Sequence, residues 1–415
     1  MEEMRRLRVL LITQYFWPEN FRINELAQEF CLCNVDLTIL TGYPNYPDGN
    51  IFPSYKDNPN KFLKFYGSQV IRVPMLPRGQ NKTRLLLNYL SFLVMGSIVG
   101  PWLLRGRGFD AILIYQPSPI TVGFVGLVMR RLKKAPIIFW TLDLWPDTLI
   151  SLGIIKSKLA IAIVTFVSNY VYRGADIILA QSKSFVSQLS KIPGLENKVT
   201  YFPGWAEDIF QSSFTGAAEE LSWEPNKFTI IFAGNIGEAQ DFPAILQAIE
   251  ELGCNQWVRW VILGGGRKAN WVKGRIAEMI DHSCVHVLGA FSLERMPSFF
   301  MHADALLVTL QDQPIFAQTI PAKLQTYLAA GKPILGMLNG EGAKVIRESR
   351  AGFISRAGDY RGLVKNIKTM ALLSKEEREV MGLNGKKYSE EFFNKKILIS
   401  ALLKNLDKAA NGYKN

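Results

Sequence analysis

Apolar runs of strand length alternate with amphipathic helical stretches along the whole chain. The runs fall at 8–14, 36–41, 69–73, 111–115, 137–141, 176–180 and 199–202, then at 228–233, 257–263, 285–288, 305–309, 333–336 and 352–355. Strand-length apolar runs that alternate with helical patterns mark parallel sheets covered on both faces by helices. The pattern predicts an α/β chain with two Rossmann-like domains, over 1–205 and 206–389. Between them Phe202-Pro-Gly-Trp-Ala-Glu-Asp208 leads into a polar stretch, 211–227, rich in Ser, Glu, Gly and Pro. That stretch reads as the interdomain linker, with a cleft opening beside it. No internal repeat of solenoid period is present.

One run breaks the pattern. Residues 85–104 are twenty positions without a charge, long enough to cross a bilayer on length alone. The run also holds Asn88, Ser91, Gly96, Gly100 and Pro101, and it leads within a few residues into the strand at 111–115. Three readings fit: a spanning helix, a core helix, or a helix that packs on the sheet and presses its outer face into the membrane interface. The third is adopted, and the stretch 159–171 poses the same choice.

Charge sharpens this picture. The chain of 415 residues carries a net +12, and residues 1–200 hold 23 Lys and Arg against 13 Asp and Glu. Residues 61–134 contain twelve basic side chains and a single acid, Asp110, on either side of the apolar run. Such a region suits an anionic surface, the inner face of a membrane, although a solvated face rich in Lys has the same composition. Zinc-knuckle, helix-turn-helix and aromatic RNP patterns are missing, so no nucleic-acid partner is expected. The four cysteines, Cys31, Cys33, Cys254 and Cys284, and a charged amino terminus that runs straight into the first strand suggest a reducing, cytoplasmic setting.

Candidate chemistry gathers where strands end in glycine. The strand at 228–233 stops in Gly234-Asn235-Ile236-Gly237, and that at 257–263 stops in Gly264-Gly265-Gly266-Arg267-Lys268. Further on, Gln318 to Leu335 reads QTIPAKLQTYLAAGKPIL, a Pro-opened helix that feeds a buried strand. The amino end of such a helix can hold a phosphate or a sugar. Gly234, Asn235, Gly237, Gly265, Arg267, Lys268, Gln318, Thr319, Ile320, Pro321 and Thr326 are thus candidate ligands of a phosphorylated co-substrate, with Lys323 beside them. Any one of these turns could merely close a βα loop; three in this order, at the strand ends where α/β sheets bind ligands, point further. A dinucleotide oxidoreductase would need G-x-G-x-x-G after a domain's first strand, and neither such turn has it.

In the first half, Glu19, Asn20 and Arg22 follow the first strand, while Asn45 and Tyr46 follow the second. These side chains suit sugar recognition, and simple turn chemistry explains the Pro and Gly around them equally well. Asp143 follows the strand at 137–141, where it can face the cleft or cap the next helix. His282, Cys284 and His286 fall short of a metal site for want of a fourth ligand, so no metal is expected.

The segments PENFRINELA, TGYPNYPDG, DLWPD, AGNIGEAQD and TIPAKLQTYLAAGKPIL, with a closing helix through Lys386 and Tyr388, resemble the GT-B glycosyltransferases of family 4 over nearly the whole chain. The resemblance implies two Rossmann-like domains whose parallel sheets face each other across a cleft, and a last helix, 390–415, crossing back to the first domain. It implies a nucleotide sugar in the C-terminal domain, an acceptor in the N-terminal one, retention of anomeric configuration, and no metal or cofactor beyond a UDP-sugar co-substrate. The motifs look most like the bacterial subgroup that moves N-acetylfucosamine or related UDP-amino sugars onto undecaprenyl-diphosphate-linked oligosaccharides of O-antigen or capsule. The expected acceptor is therefore a lipid-linked oligosaccharide at the cytoplasmic face of the cell membrane.

The chain departs from the family at informative places. The paired glutamates of the family, eight apart, fall on Gln318 and Thr326, so their sugar and ribose contacts cannot be carboxylate interactions from these positions. The Arg and Lys that many members place after the first C-terminal strand fall on Asn235 and Gln240, leaving phosphate charge to Arg267, Lys268 and Lys323. The frequent His-Asp pair reads Leu142-Asp143, and the first glycine loop lacks glycine. On this reading Lys323 stabilises the departing UDP and Asp143 orients the acceptor or the sugar hydroxyls. Two rivals remain: a UDP-sugar 2-epimerase, against which a histidine-free N-terminal domain speaks, and a degenerate scaffold that binds nucleotide sugar or lipid.

Overall fold

The computed structural model describes residues 6–414 apart from 47–48, 80, 152, 211–215, 223, 225 and 255–256. Pro47 and Asp48 of the second loop, and 211–215, 223 and 225 of the expected linker, lie outside the described residues. The chain forms two compact units, one of Met1–Gln181, Phe185–Phe202 and Ile399–Asn415, the other of Ser182–Ser184 and Pro203–Leu398. The sequence places the breaks at 206 and 390, whereas packing changes from one unit to the other at Pro203 and Ile399.

The first unit holds an eight-stranded sheet of β1 (Arg8–Ile12), β2 (Asp36–Gly42), β3 (Lys64–Phe65), β4 (Ser68–Val73), β5 (Ala111–Gln116), β6 (Ile137–Thr141), β7 (Ile177–Ala180) and β8 (Val199–Tyr201). Its order is β3-β4-β2-β1-β5-β6-β7-β8, and all pairings are parallel except β3 with β4. Leu11 of β1 stands between Ile39 and Leu113, so β1 and β5 are neighbours and the winding of the sheet reverses there. β3 escapes sequence reading because two residues carry no period.

Four helices of this unit matter below: α1 (Arg22–Leu32), α2 (Lys82–Leu103), α3 (Val122–Lys133) and α4 (Lys158–Arg173). α2 contains the long apolar run, and its length and composition alone would cross a bilayer. One side of it is committed to the sheet layer. Phe92 is fully buried, and buried Asn88 accepts from Gln14 Nε2 and the Tyr15 hydroxyl (both 2.8 Å) while donating to Leu76 O (2.7 Å). A Cβ on Gly96 or Gly100 would lie 2.9 Å from Val125 or 3.0 Å from Met129, so these glycines let α2 and α3 pack closely. On the other side Leu86, Leu90, Val94, Ile98 and Trp102 recur every fourth residue with exposures of 40–68%. α4 exposes Leu159, Ile163, Phe166 and Tyr170 in the same way.

The second unit holds β9 (Phe228–Ala233), β10 (Val258–Leu263), β11 (Val285–Gly289), β12 (Ala305–Thr309), β13 (Ile334–Met337) and β14 (Gly352–Ser355). Their order is β11-β10-β9-β12-β13-β14, all parallel, the doubly wound arrangement of a dinucleotide-binding sheet. Along β9, Ile231 and Ala233 enter one core while Ile230 and Phe232 enter the other, which explains why the strand runs apolar from Ile230 to Ala233. Among its helices are α5 (Phe242–Leu252) and α6 (Ala322–Ala329); the chain closes with α7 (Lys395–Lys414). The expected reduced state holds for Cys31 and Cys33 only: Cys254, at the end of α5, and Cys284, just before β11, form a disulfide with a Cα separation of 5.0 Å.

Candidate active site

In the second unit the winding reverses between β9 and β12, and ligands of such sheets bind at the carboxyl ends there. β9 ends at Ala233 and the chain turns through Gly234 at φ +134°, a conformation that favours glycine. The turn after β10 locks onto it. Gly234 N donates to Leu263 O (2.9 Å), Ile236 N to Gly265 O (2.8 Å) and Lys268 N to Ile236 O (3.0 Å). A Cβ on Gly264 would strike Gly234 O at 1.8 Å, so the two glycine turns that the sequence lists separately form one interlocked structure.

α6 completes this half. The buried Tyr327 hydroxyl donates to Ala233 O (3.0 Å) and accepts from Ala233 N (2.9 Å), clasping the helix to the last residue of β9. One turn earlier, Lys323 sets its ammonium 3.7 Å from the centre of the Phe232 ring. The Lys323 stem keeps some exposure, but Nζ is enclosed and without a hydrogen-bond partner, and burial pushes its pKa down to about 7. Gln318 Oε1 is likewise buried without a partner. An enclosed, unpaired cation beside open glycine backbone and the start of a helix gains most from a bound anion, and a diphosphate fits that description.

The other candidates here fall into different roles. Pro321 caps the start of α6, as its opening position suggests. Ile320 belongs to the core, and the Thr319 hydroxyl donates to Ile315 O (2.8 Å). Gly237 N donates to Gln240 Oε1 (3.2 Å). Asn235, Gly265 and Arg267 stand at the open edge of the turns, whereas Lys268 pairs with Glu238 at 3.0 Å, which reduces the charge it offers a phosphate. Thr326 donates its hydroxyl to Glu207 Oε2 (2.8 Å).

In the first unit the equivalent reversal lies between β1 and β5. Buried Glu19 accepts from the backbone N–H groups of Phe16 (3.0 Å), Asn45 (2.7 Å) and Tyr46 (2.7 Å), tying together the loops after β1 and β2. Burial pushes its carboxyl up to about 7, against those three donors and the nearby Arg72. Asn45, also buried, donates to Tyr43 O (2.7 Å) and accepts from Arg78 N (2.7 Å). Both side chains thus hold the loops in place. Asn20 is exposed, Arg22 opens α1, and Tyr46 packs its ring on Tyr15 and Phe21. Asp143 accepts from Trp145 Nε1 (3.1 Å) and from the hydroxyls of Thr148 and Ser118; burial raises its pKa against these bonds.

Sequence reasoning missed two groups in this cluster. The Arg78 guanidinium lies 5.1 Å from the Tyr46 ring centre and bonds the Tyr15 hydroxyl. Tyr89, on α2, reaches Ser118 and packs 6.4 Å from Trp145. Arg78 sits in an irregular segment with no motif around it, and Tyr89 lies within the apolar run, where it reads as core. In the second unit Glu207 was likewise unmarked, in the segment 202–208 that leads into the expected linker.

The chain is similar to known proteins. A family model described as "Glycosyl transferases group 1" matches residues 227–372, and one described as "Glycosyl transferase 4-like domain" matches 20–205. WcaI of Escherichia coli (strain K12), provisionally named a colanic acid biosynthesis glycosyl transferase, is 22% identical over 310 residues, 71% of this chain and 74% of that protein. Among solved structures, Anabaena HepE in complex with UDP and glucose matches with a TM-score of 0.67 at 13% identity, over 97% of this chain and 100% of that one. WaaG, a glycosyltransferase involved in lipopolysaccharide biosynthesis, matches with a TM-score of 0.66 at 11% identity, over 95% and 98%. Such likeness at low identity establishes the fold, GT-B.

Proposed function

The chain belongs to the group 1 glycosyl transferases, and from that premise we propose that it moves an amino sugar, N-acetylfucosamine or a relative, from a UDP-sugar to an undecaprenyl-diphosphate-linked oligosaccharide. The product is a surface polysaccharide, O-antigen or capsule, and anomeric configuration is retained. The observation that carries the donor half is Lys323, an enclosed ammonium without a partner at the interlocked glycine turns. When the bond to the sugar breaks, negative charge gathers on the leaving diphosphate, and a preplaced cation with helix and backbone dipoles stabilises that charge. The enclosed site makes a partly neutral lysine take up a proton as the anion arrives. The donor phosphate helps deprotonate the incoming hydroxyl on the same face of the sugar, and Asp143 in the first unit orients acceptor or sugar hydroxyls. No metal is assigned a part in this reaction.

The UDP in HepE and the polysaccharide role in the name of WcaI agree with this donor and product class. For the acceptor, the support is the apolar side of α2, within a region rich in Lys and Arg, and that of α4, suited to a peripheral place on the inner face of the cell membrane. The test is turnover: purified protein with UDP-N-acetylfucosamine or UDP-N-acetylglucosamine and a lipid-linked oligosaccharide extract. Sugar appearing in the lipid fraction is the expected result. An altered free nucleotide sugar with no transfer would indicate an epimerase, and binding with neither reaction would indicate a scaffold; either would overturn the proposal.

A further inference from the structure

We propose that Glu207, from the loop between the two sheets of the chain, is the carboxylate that receives the ribose hydroxyls of the bound nucleoside diphosphate. This rests on the donor reading above and adds a residue to it. Helix α6 offers no acid of its own near the glycine turns: its sequence is Ala-Lys-Leu-Gln-Thr-Tyr-Leu-Ala, and the residues on either side of Lys323 are uncharged. The carboxylate arrives from elsewhere. Thr326 Oγ1 donates to Glu207 Oε2 at 2.8 Å, and Thr326 lies one helical turn beyond Lys323. Side chains three apart on a helix are neighbours, roughly 5–6 Å between Cβ atoms. A diphosphate held at Lys323 therefore carries its ribose within a short reach of Glu207.

Three contacts fix the loop that delivers the acid. Gln325 Nε2 donates to Gly204 O at 3.0 Å, Trp205 and Ala206 are fully buried, and Lys395 pairs with Asp208. Glu207 stands between these anchors and stays half-buried. Nor is it the ion-pair partner of Lys323, whose lowered pKa is due to burial alone. Lysine and glutamate are thus placed for different parts of one ligand, the first for phosphate and the second for a diol. A carboxylate at this type of site recognises vicinal ribose hydroxyls, because one oxygen pair can accept from both.

The test compares UDP with 2′,3′-dideoxy-UDP by calorimetry on the full chain, in wild type and Glu207→Gln. Glutamine keeps an acceptor for Thr326 but loses the charge, so the loop stays in place. Expected is a loss of about 10- to 100-fold for UDP in the variant, and less than threefold for the dideoxy compound. A second variant, E207T with T326E, moves the carboxylate onto α6 and should recover most of the UDP affinity. Equal losses for both nucleotides would make Glu207 a scaffold residue and overturn the inference, as would a wild type that binds both nucleotides equally. A wild type that binds neither overturns the donor reading itself.

Discussion

At the scale of single residues, Lys323 carries the strongest consequence. In the fold its pKa is lowered to about 7, from an ordinary 10.5. Between those values the unfolded chain holds the extra proton, so the contribution of this group to stability rises as pH climbs from 7 to 10.5, and the penalty of the enclosed charge is fully present below 7. Lys323→Met should therefore be more stable than wild type at pH 6.5, by up to a few kcal/mol, with the gap closing by pH 10. The same variant should lose at least 100-fold in turnover. Denaturant melts across pH check the first, and a pH-independent gap would show that the ammonium is not enclosed. Tyr327 gives a second residue-level prediction: Tyr327→Phe leaves the buried N–H and C=O of Ala233 unpaired, which should cost about 1–3 kcal/mol in urea unfolding. A change within error would mean that water replaces the hydroxyl.

Residues were also where the sequence was least legible. Lys323 stood out because a lysine just inside a Pro-opened helix has one obvious use. Glu19 and Asn45 were grouped with sugar contacts by residue type, yet their side chains are spent on backbone groups of neighbouring loops. Glu207 and Arg78 left no local signal, since their positions follow from loops anchored far away in the chain.

At the scale of elements, the thirteen apolar runs coincide with strands to within two residues at each end, because a strand covered on both faces is apolar at most of its positions. Helix α2 shows the limit of such reading. Its outer and inner sides are both apolar, so composition could not separate core from surface, and only packing shows Phe92 inward and Ile98 outward. The outward residues of α2 and α4 give the next prediction. Ile98→Glu combined with Phe166→Glu, at positions 68% and 71% exposed, should leave the melting temperature within a degree or two of wild type. Co-sedimentation with vesicles containing phosphatidylglycerol should fall at least tenfold, in a salt-dependent manner. Unchanged sedimentation would remove these helices from membrane attachment.

At the scale of the whole molecule, the two doubly wound units concentrate different kinds of side chain. The second unit concentrates its unpaired cation and glycine turns at one sheet edge, while the first concentrates basic charge, aromatic rings and an apolar helix face. That division was visible in the sequence as a charge asymmetry and as glycine turns confined to one half. The return of the terminal segment to the first unit was expected over 390–415 from the family resemblance alone; packing changes over at Ile399, within α7, whose amphipathic pattern does not mark the position. The most direct measurement is thermal stability with saturating UDP, GDP and ADP and their sugars. At a hundredfold excess over the dissociation constant a ligand adds about 2.7 kcal/mol, which shifts the transition by several degrees. Stabilisation by UDP and UDP-sugars alone, abolished in Lys323→Met, is the expected result; no shift with any nucleotide, or equal shifts with all three, would contradict a UDP-sugar transferase.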